Sequence, residues 1–230
     1  MAQVRLVTAN LPPHAMNEGK EGIAVAILKE AEKHLTFKST IETRTINRAL
    51  VTPQHHERNT LLFPVSRSKK REKDYRWIAP LYAVEFAFAH NHQKFSLEEA
   101  KKLDMIGVRQ NSMFEEVLKN LGFDNVYSGS PNPEQLAHML DRKRLDAWFG
   151  DASQLKYILD KKLNTKTSFK VSHSVGAFPT YLAGDSQTDE TIIEAYRQAI
   201  LTVQQSDFYK KLIAAYPMAH PISRNHPLMP

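Results

Sequence analysis

Short apolar runs of strand length alternate with amphipathic segments of helix length along nearly the whole of this chain. A chain with that alternation has few options other than an α/β fold built on parallel strands. Val4–Thr8 reads as a strand and ends in a turn at Leu11-Pro12-Pro13. A helix follows in which Ile23, Ile27, Ala31 and Leu35 recur every fourth residue. Phe37–Thr43 alternates like a strand. Leu61–Val65 is continuously apolar, as a strand buried on both faces must be, and Val84–Ala89 is a further strand interrupted by Glu85.

The middle of the chain repeats the grammar. Ser96 with Glu99 forms a capping box ahead of a short helix, and Met105–Val108 is a strand. Ser112 with Glu115 forms a second capping box, opening a helix lined by Phe114, Val117, Leu118 and Leu121 and stopped by Gly122. Asn132-Pro133 starts another helix, with proline at its first position. Leu145–Phe149 is a strand, and Asp151 can cap the helix bearing Leu155, Ile158 and Leu159. Beyond Val171–Gly176 come a strand, Tyr181–Ala183, and two helices, one with Ile192, Ile193, Ile200 and Val203, the other with Phe208, Leu212 and Ile213. The tail after Tyr216 holds four prolines and little periodicity, which suits a surface path.

Several function classes are excluded or disfavoured at this point. With no cysteine in 230 residues there are no disulfides, thiolate nucleophiles or thiolate zinc sites. No apolar run approaches the roughly 20 residues of a membrane-spanning helix, and no secretory core precedes Val4, so the chain is either cytoplasmic or a mature form whose signal peptide has been removed. The net charge of +6 suggests acidic partners. Its densest basic stretch, Ser66–Arg76, also holds Glu72 and Asp74 and has no aromatic before Tyr75, which fits a solvated loop better than a base-stacking platform. Nucleic-acid binding is therefore not expected. No HExxH, P-loop, GxSxG or GxGxxG occurs. His90-Asn91-His92 and His55-His56 lack a third ligand at a diagnostic spacing, so neither a metal nor a cofactor is expected.

Several segments, in order, resemble family 3 of the bacterial extracellular solute-binding proteins. The Pro-Pro turn is followed by Glu21-Gly22-Ile23-Ala24-Val25. Phe63–Glu72, then Trp77-Ile78-Ala79-Pro80-Leu81-Tyr82, look like the family's strand, serine-rich loop with its "(T/S)xxR" element, and "F(S/A)xPLY" signature. Ser96–Val108, Leu140–Asp151 and Thr191–Tyr216 are similar to three later family segments. The resemblance implies a two-lobed, periplasmic-binding-protein-like (type II) α/β fold with a ligand cleft between lobes. Residues 1–87 with 180–230 would form lobe 1 and residues 88–179 lobe 2. It also implies a periplasmic monomer, its signal peptide removed, that captures a small polar solute by hinge closure for an ABC-transporter permease, without catalysis.

A free amino acid presents a carboxylate and an ammonium, so its site needs an arginine, N–H donors and an acid. The resemblance assigns Arg71 to the ligand carboxylate, Ser66 and Ser68 to flanking donors, Asn111 and Ser112 to a helix start facing the ligand, and Asp151 to the ammonium. Arg48 would add a second cation, and Tyr82 would wall the cleft. His14 stands where the family commonly has an aromatic stacked on the ligand, and His55–Asn59 replaces a Gly-x-x-Asp approach; both departures open the ligand to modified amino acids, small carboxylates or short peptides. Two alternatives share the scaffold. One is an enzyme similar to cyclohexadienyl dehydratase, for which Glu85 or Asp151 would be the acid. The other is a detached sensory domain.

Overall fold

The computed structural model describes residues 4–49, 58–92 and 95–222. They form an α/β protein that divides into two compact units, Met1–Ala83 with Phe178–Pro230, and Val84–Ala177.

In the first unit, β1 (Val4–Ala9) is followed by α1 (Ile23–Glu32), β2 (Ser39–Arg44), α2 (Ile46–Ala49) and β3 (Thr60–Ser66). β1 lies between β2 and β3 and is parallel to both, with Leu6 opposite Ile41 on one side and Leu61 on the other. The unbroken apolar character of Leu61–Val65 is explained by this central position, where Leu61, Leu62, Phe63 and Val65 are all buried. β4 (Arg76–His90) leaves this unit and continues into the second, fifteen residues long where the sequence suggests six; Glu85 does not interrupt it. β9 (Ala177–Gly184) returns and pairs antiparallel with β3.

Two helices close this unit. α7 (Glu190–Gln204) buries Ile192, Ile193, Tyr196, Ile200 and Val203 along one face. Each such side chain contributes about 1.5–3 kcal/mol by leaving water. α8 (Asp207–Ala215) differs from the sequence reading. Tyr209 and Ile213, one turn apart, form its buried face, while Phe208 is 37% exposed. Tyr209 wins because its hydroxyl, inside the core, donates to the Leu81 carbonyl at 2.9 Å.

The second unit repeats the arrangement. After α3 (Leu97–Ala100) come β5 (Ile106–Arg109), α4 (Phe114–Asn120), β6 (Val126–Ser130), α5 (Pro133–Asp141), β7 (Ala147–Asp151), α6 (Ala152–Lys161) and β8 (Lys170–Ser172). β5 lies between β6 and β7, parallel to both, and β4 pairs antiparallel with β7. The core gathers Leu136, Leu140, Leu145, Trp148, Leu155 and Ile158.

Three caps read from the sequence are present. The Ser96, Asn132 and Asp151 side chains accept backbone N–H bonds from Glu99, Glu134 and Gln154. The Ser112 cap is not. Met113 is the capping residue of α4 and makes no side-chain bond, because the Ser112 hydroxyl donates instead to the Arg109 carbonyl. Among the described residues no helix is long and apolar enough to cross a membrane.

Candidate ligand-binding edges

Parallel strands flanked by helices present their carboxyl ends at one edge, and a crevice opens there where the strand order reverses. Each unit has one such point. The order β2-β1-β3 places the first between β1 and β3, and the order β6-β5-β7 places the second between β5 and β7.

At the first edge, β3 ends at Ser66 and the chain turns through Arg67 and Ser68 into a short 3-10 turn, Lys69–Arg71. Arg71 Nη1 donates to the Ser66 carbonyl at 3.2 Å and its backbone N–H to the Ser68 carbonyl at 3.0 Å, so the loop folds around its own arginine. Ser68 is 9% exposed and its hydroxyl makes no capping bond. The loop's other arginine has a different place. Arg67 binds the Glu72 carboxylate through Nε at 2.8 Å and through Nη2, with its guanidinium 5.5 Å from the Trp77 ring and 5.8 Å from Tyr181. The bonded pair holds the Arg67 pKa above and the Glu72 pKa below their ordinary values. Arg67 is thus spent on the fold. Arg76 is tied to Glu190 and to the Thr188 carbonyl. Two of the cations that make Ser66–Arg76 look like a basic patch are therefore neutralised internally.

β2 ends at Arg44 and leads into α2, where Arg48 is exposed at the same edge. β1 ends at Ala9 and leads to the Pro-Pro turn and His14. The His14 ring is not presented to solvent. It is 5% exposed, stacked on Tyr82 with centroids 5.8 Å apart, and its Nδ1 is hydrogen-bonded to the Tyr82 hydroxyl at 2.8 Å. Tyr82 itself is fully buried, so it supports this loop from beneath.

The loop closes on Gly22, whose φ of +119° no side chain favours, and where an added Cβ would fall 2.3 Å from the His14 carbonyl oxygen. Gly22→Ala is expected to destabilise the protein by about 2–3 kcal/mol, read as a lower urea midpoint at unchanged m-value.

At the second edge, β5 ends at Arg109 and the chain passes through Asn111, in the left-handed region at φ +58°, to Ser112. β7 is the neighbouring strand and ends at Asp151, whose Oδ1 accepts the Gln154 N–H at 3.1 Å; the residue is 9% exposed. Asn111, Ser112 and Asp151 thus share one switch point. Arg109, which sequence reasoning passed over, stands with them, its guanidinium 5.9 Å from the Phe114 ring. The available signal was a charged residue directly after an apolar strand and directly before a turn.

His90 and His92 do face one side, with ring centroids 6.0 Å apart. No group of three metal-ligating side chains is found among the described residues, and His55 and His56 lie outside them.

No family model matches this sequence, and no curated protein does. Solved structures do match. An ancestral arginine-binding protein bound to arginine is 20% identical over 93% of this chain and 97% of its own, with a TM-score of 0.76. A candidate L-cystine ABC transporter from Listeria monocytogenes is 17% identical over 94% and 96%, with a TM-score of 0.74. A histidine kinase sensor domain with similarity to periplasmic binding proteins is 14% identical over 96% and 98%, with a TM-score of 0.78. By fold, then, the chain is a periplasmic-binding-protein-like α/β protein.

Proposed function

We propose that this protein is an extracytoplasmic solute-binding protein that captures a small, carboxylate-bearing polar solute such as an amino acid, and delivers it to an ABC-transporter permease without altering it. Unit 1 would form lobe 1 and unit 2 lobe 2, closing as a monomer on the solute. The observation that carries this reading is the placement of the candidate side chains. Ser66, Ser68 and Arg71 sit at the switch-point edge of one unit, and Asn111, Ser112 and Asp151 at that of the other. A guanidinium with adjacent donors suits a carboxylate, and a carboxylate already oriented by its helix suits an ammonium. Arg48 adds positive potential to the first edge. His14 and Tyr82 act by holding the β1 loop.

The test is a thermal-shift series with amino acids, small carboxylates and short peptides, followed by recovery of any ligand that binds. A solute at 100 times its Kd adds about 2.7 kcal/mol, or roughly 5–10 °C in Tm for a chain of this size. Recovery of the solute unchanged supports transport. Its conversion to a dehydrated product would replace this reading with an enzyme, and silence across all three classes would refute it.

Asp151→Asn refines the assignment, because asparagine caps helices as well as aspartate does. The variant should keep its unliganded Tm yet bind an amino acid on the order of 10-fold more weakly. Carboxylates that lack an ammonium should bind it unchanged.

A further inference from the structure

Helices that follow parallel strands run back against them, so the carboxyl ends of α4, α5 and α6 lie at the edge of unit 2 opposite Asn111, Ser112 and Asp151. Two loops there are strongly cationic. The turn from α5 into β7 carries Arg142, Lys143 and Arg144, and the segment at the end of α6 carries Lys161, Lys162 and Lys166; all six are exposed. The loops are fixed side by side. The Thr165 hydroxyl donates to the Asp141 carboxylate, and Leu163 sits in the same core cluster as Leu136, Leu140 and Leu145.

Among the described residues none of the six forms an ion pair. Asp141 is held by Thr165, Asp160 by Lys156 at 2.8 Å and Asp146 by the Met105 N–H at 2.9 Å. Asp104 and Asp124, which precede β5 and β6, are exposed at this edge; together these acids offset only part of the positive charge. Lys170, paired in register with His90 on β4, adds a further cation at this edge.

One or two cations at a helix carboxyl end answer its dipole. Six on two abutting loops, none of them ion-paired, repel one another and call for an anionic partner. The composition narrows that partner. Neither loop exposes an aromatic residue, since Phe169, in the second loop, is half-buried and packed against the core cluster, so no exposed ring stacks on a nucleic-acid base. Protein interfaces are depleted in lysine and built around an apolar centre, whereas four of these six are lysines. The exposed apolar side chains lie beside the cations: Met105, 39% exposed, adjoins the first loop through its bonds to Asp146, and Leu121, 37% exposed, ends α4 at the same edge. Flexible cations with a few flanking apolar groups match a phospholipid surface, where phosphates take the charge and short apolar chains enter between headgroups.

We propose that this edge of unit 2 is an electrostatic docking surface for anionic phospholipid headgroups.

The experiment is co-sedimentation of the full chain with phosphatidylcholine vesicles, with and without phosphatidylglycerol, at low and high salt. The protein should bind only the vesicles containing phosphatidylglycerol, and high salt should release it. The variant Arg142→Glu/Lys143→Glu/Lys162→Glu should bind on the order of 100-fold more weakly. Lys33→Glu/Lys38→Glu/Lys211→Glu, which makes the same change in net charge on unit 1, should bind within a few-fold of the parent. Equal losses in the two variants would reduce the effect to net charge and overturn the proposal. So would failure of the parent chain to bind anionic vesicles at low salt. Binding to polyglutamate without binding to vesicles would overturn it in favour of an acidic protein segment.

Discussion

Arg71→Ala should weaken binding of the solute by at least about 100-fold, the largest effect expected of any single change at the candidate site. Truncating one member of a hydrogen-bonded charge pair costs on the order of 2–5 kcal/mol, much of it from leaving the ligand carboxylate unpaired. The unliganded fold should notice much less. The Arg71 bond to the Ser66 carbonyl is worth about 1 kcal/mol, and its loss by itself lowers Tm without ligand by about 2–4 °C. Arg71→Lys should recover part of the affinity, since a lysine supplies the charge but not two parallel donors. Calorimetric titration of the three proteins separates the outcomes. An Arg71→Ala protein with unchanged Kd would make the arginine a piece of loop scaffolding and refute its assignment.

The second large effect concerns acid. His90, 2% exposed, is stacked on Phe95 at 4.0 Å and bonded through Nε2 to the Ser172 hydroxyl at 2.6 Å. Burial, then the neighbouring His92, His173 and Lys170, push its pKa from 6.5 down to about 4. Above pH 6.5 both the folded and unfolded forms are neutral at this site and its stabilising contribution is complete. Between 6.5 and 4 the unfolded chain takes up a proton that the folded chain refuses, so stability falls as pH falls, and below about 4 the loss is complete. At 1.36 kcal/mol per unit of pKa, the total is about 3–4 kcal/mol. Urea denaturation at stepped pH values should show the midpoint dropping across that window. His90→Gln, which keeps a polar partner for Ser172 but does not titrate, should flatten that part of the profile. A variant with the parent's slope would place the acid sensitivity elsewhere.

Much of the fold was legible because its elements carry their own signals. β1, β3, α5, α6 and α7 are each marked by apolar periodicity or a capping residue, and each lies within a few residues of where those signals put it. What escaped depends on contacts distant in sequence or on competition between local bonds. β6 carries no signal in the sequence because Val126–Gly129 are only half-buried or exposed, leaving no apolar alternation to read. Ser112 looks like a cap until its hydroxyl finds the Arg109 carbonyl three residues back. His14 invites a ligand-stacking role, yet its ring is claimed by Tyr82, 68 positions away, and no local pattern announces that. The resemblance singles out Arg71 for the solute, but that Arg67 is used for structure is visible only in the positions of Glu72, Trp77 and Tyr181.

The first unit is assembled from two stretches of chain with the whole second unit between them. During synthesis, β3 therefore emerges roughly 120 residues before the strand β9 that covers its free side. At about 5–20 residues per second the wait is on the order of 6–24 s. Over that interval the apolar run Leu61–Val65 stands as an open sheet edge, while the contiguous second unit can complete itself. Newly made chains are thus most exposed to aggregation in their first half, and a chaperone that shields a strand edge on the ribosome would act here before any other part of the molecule needed it.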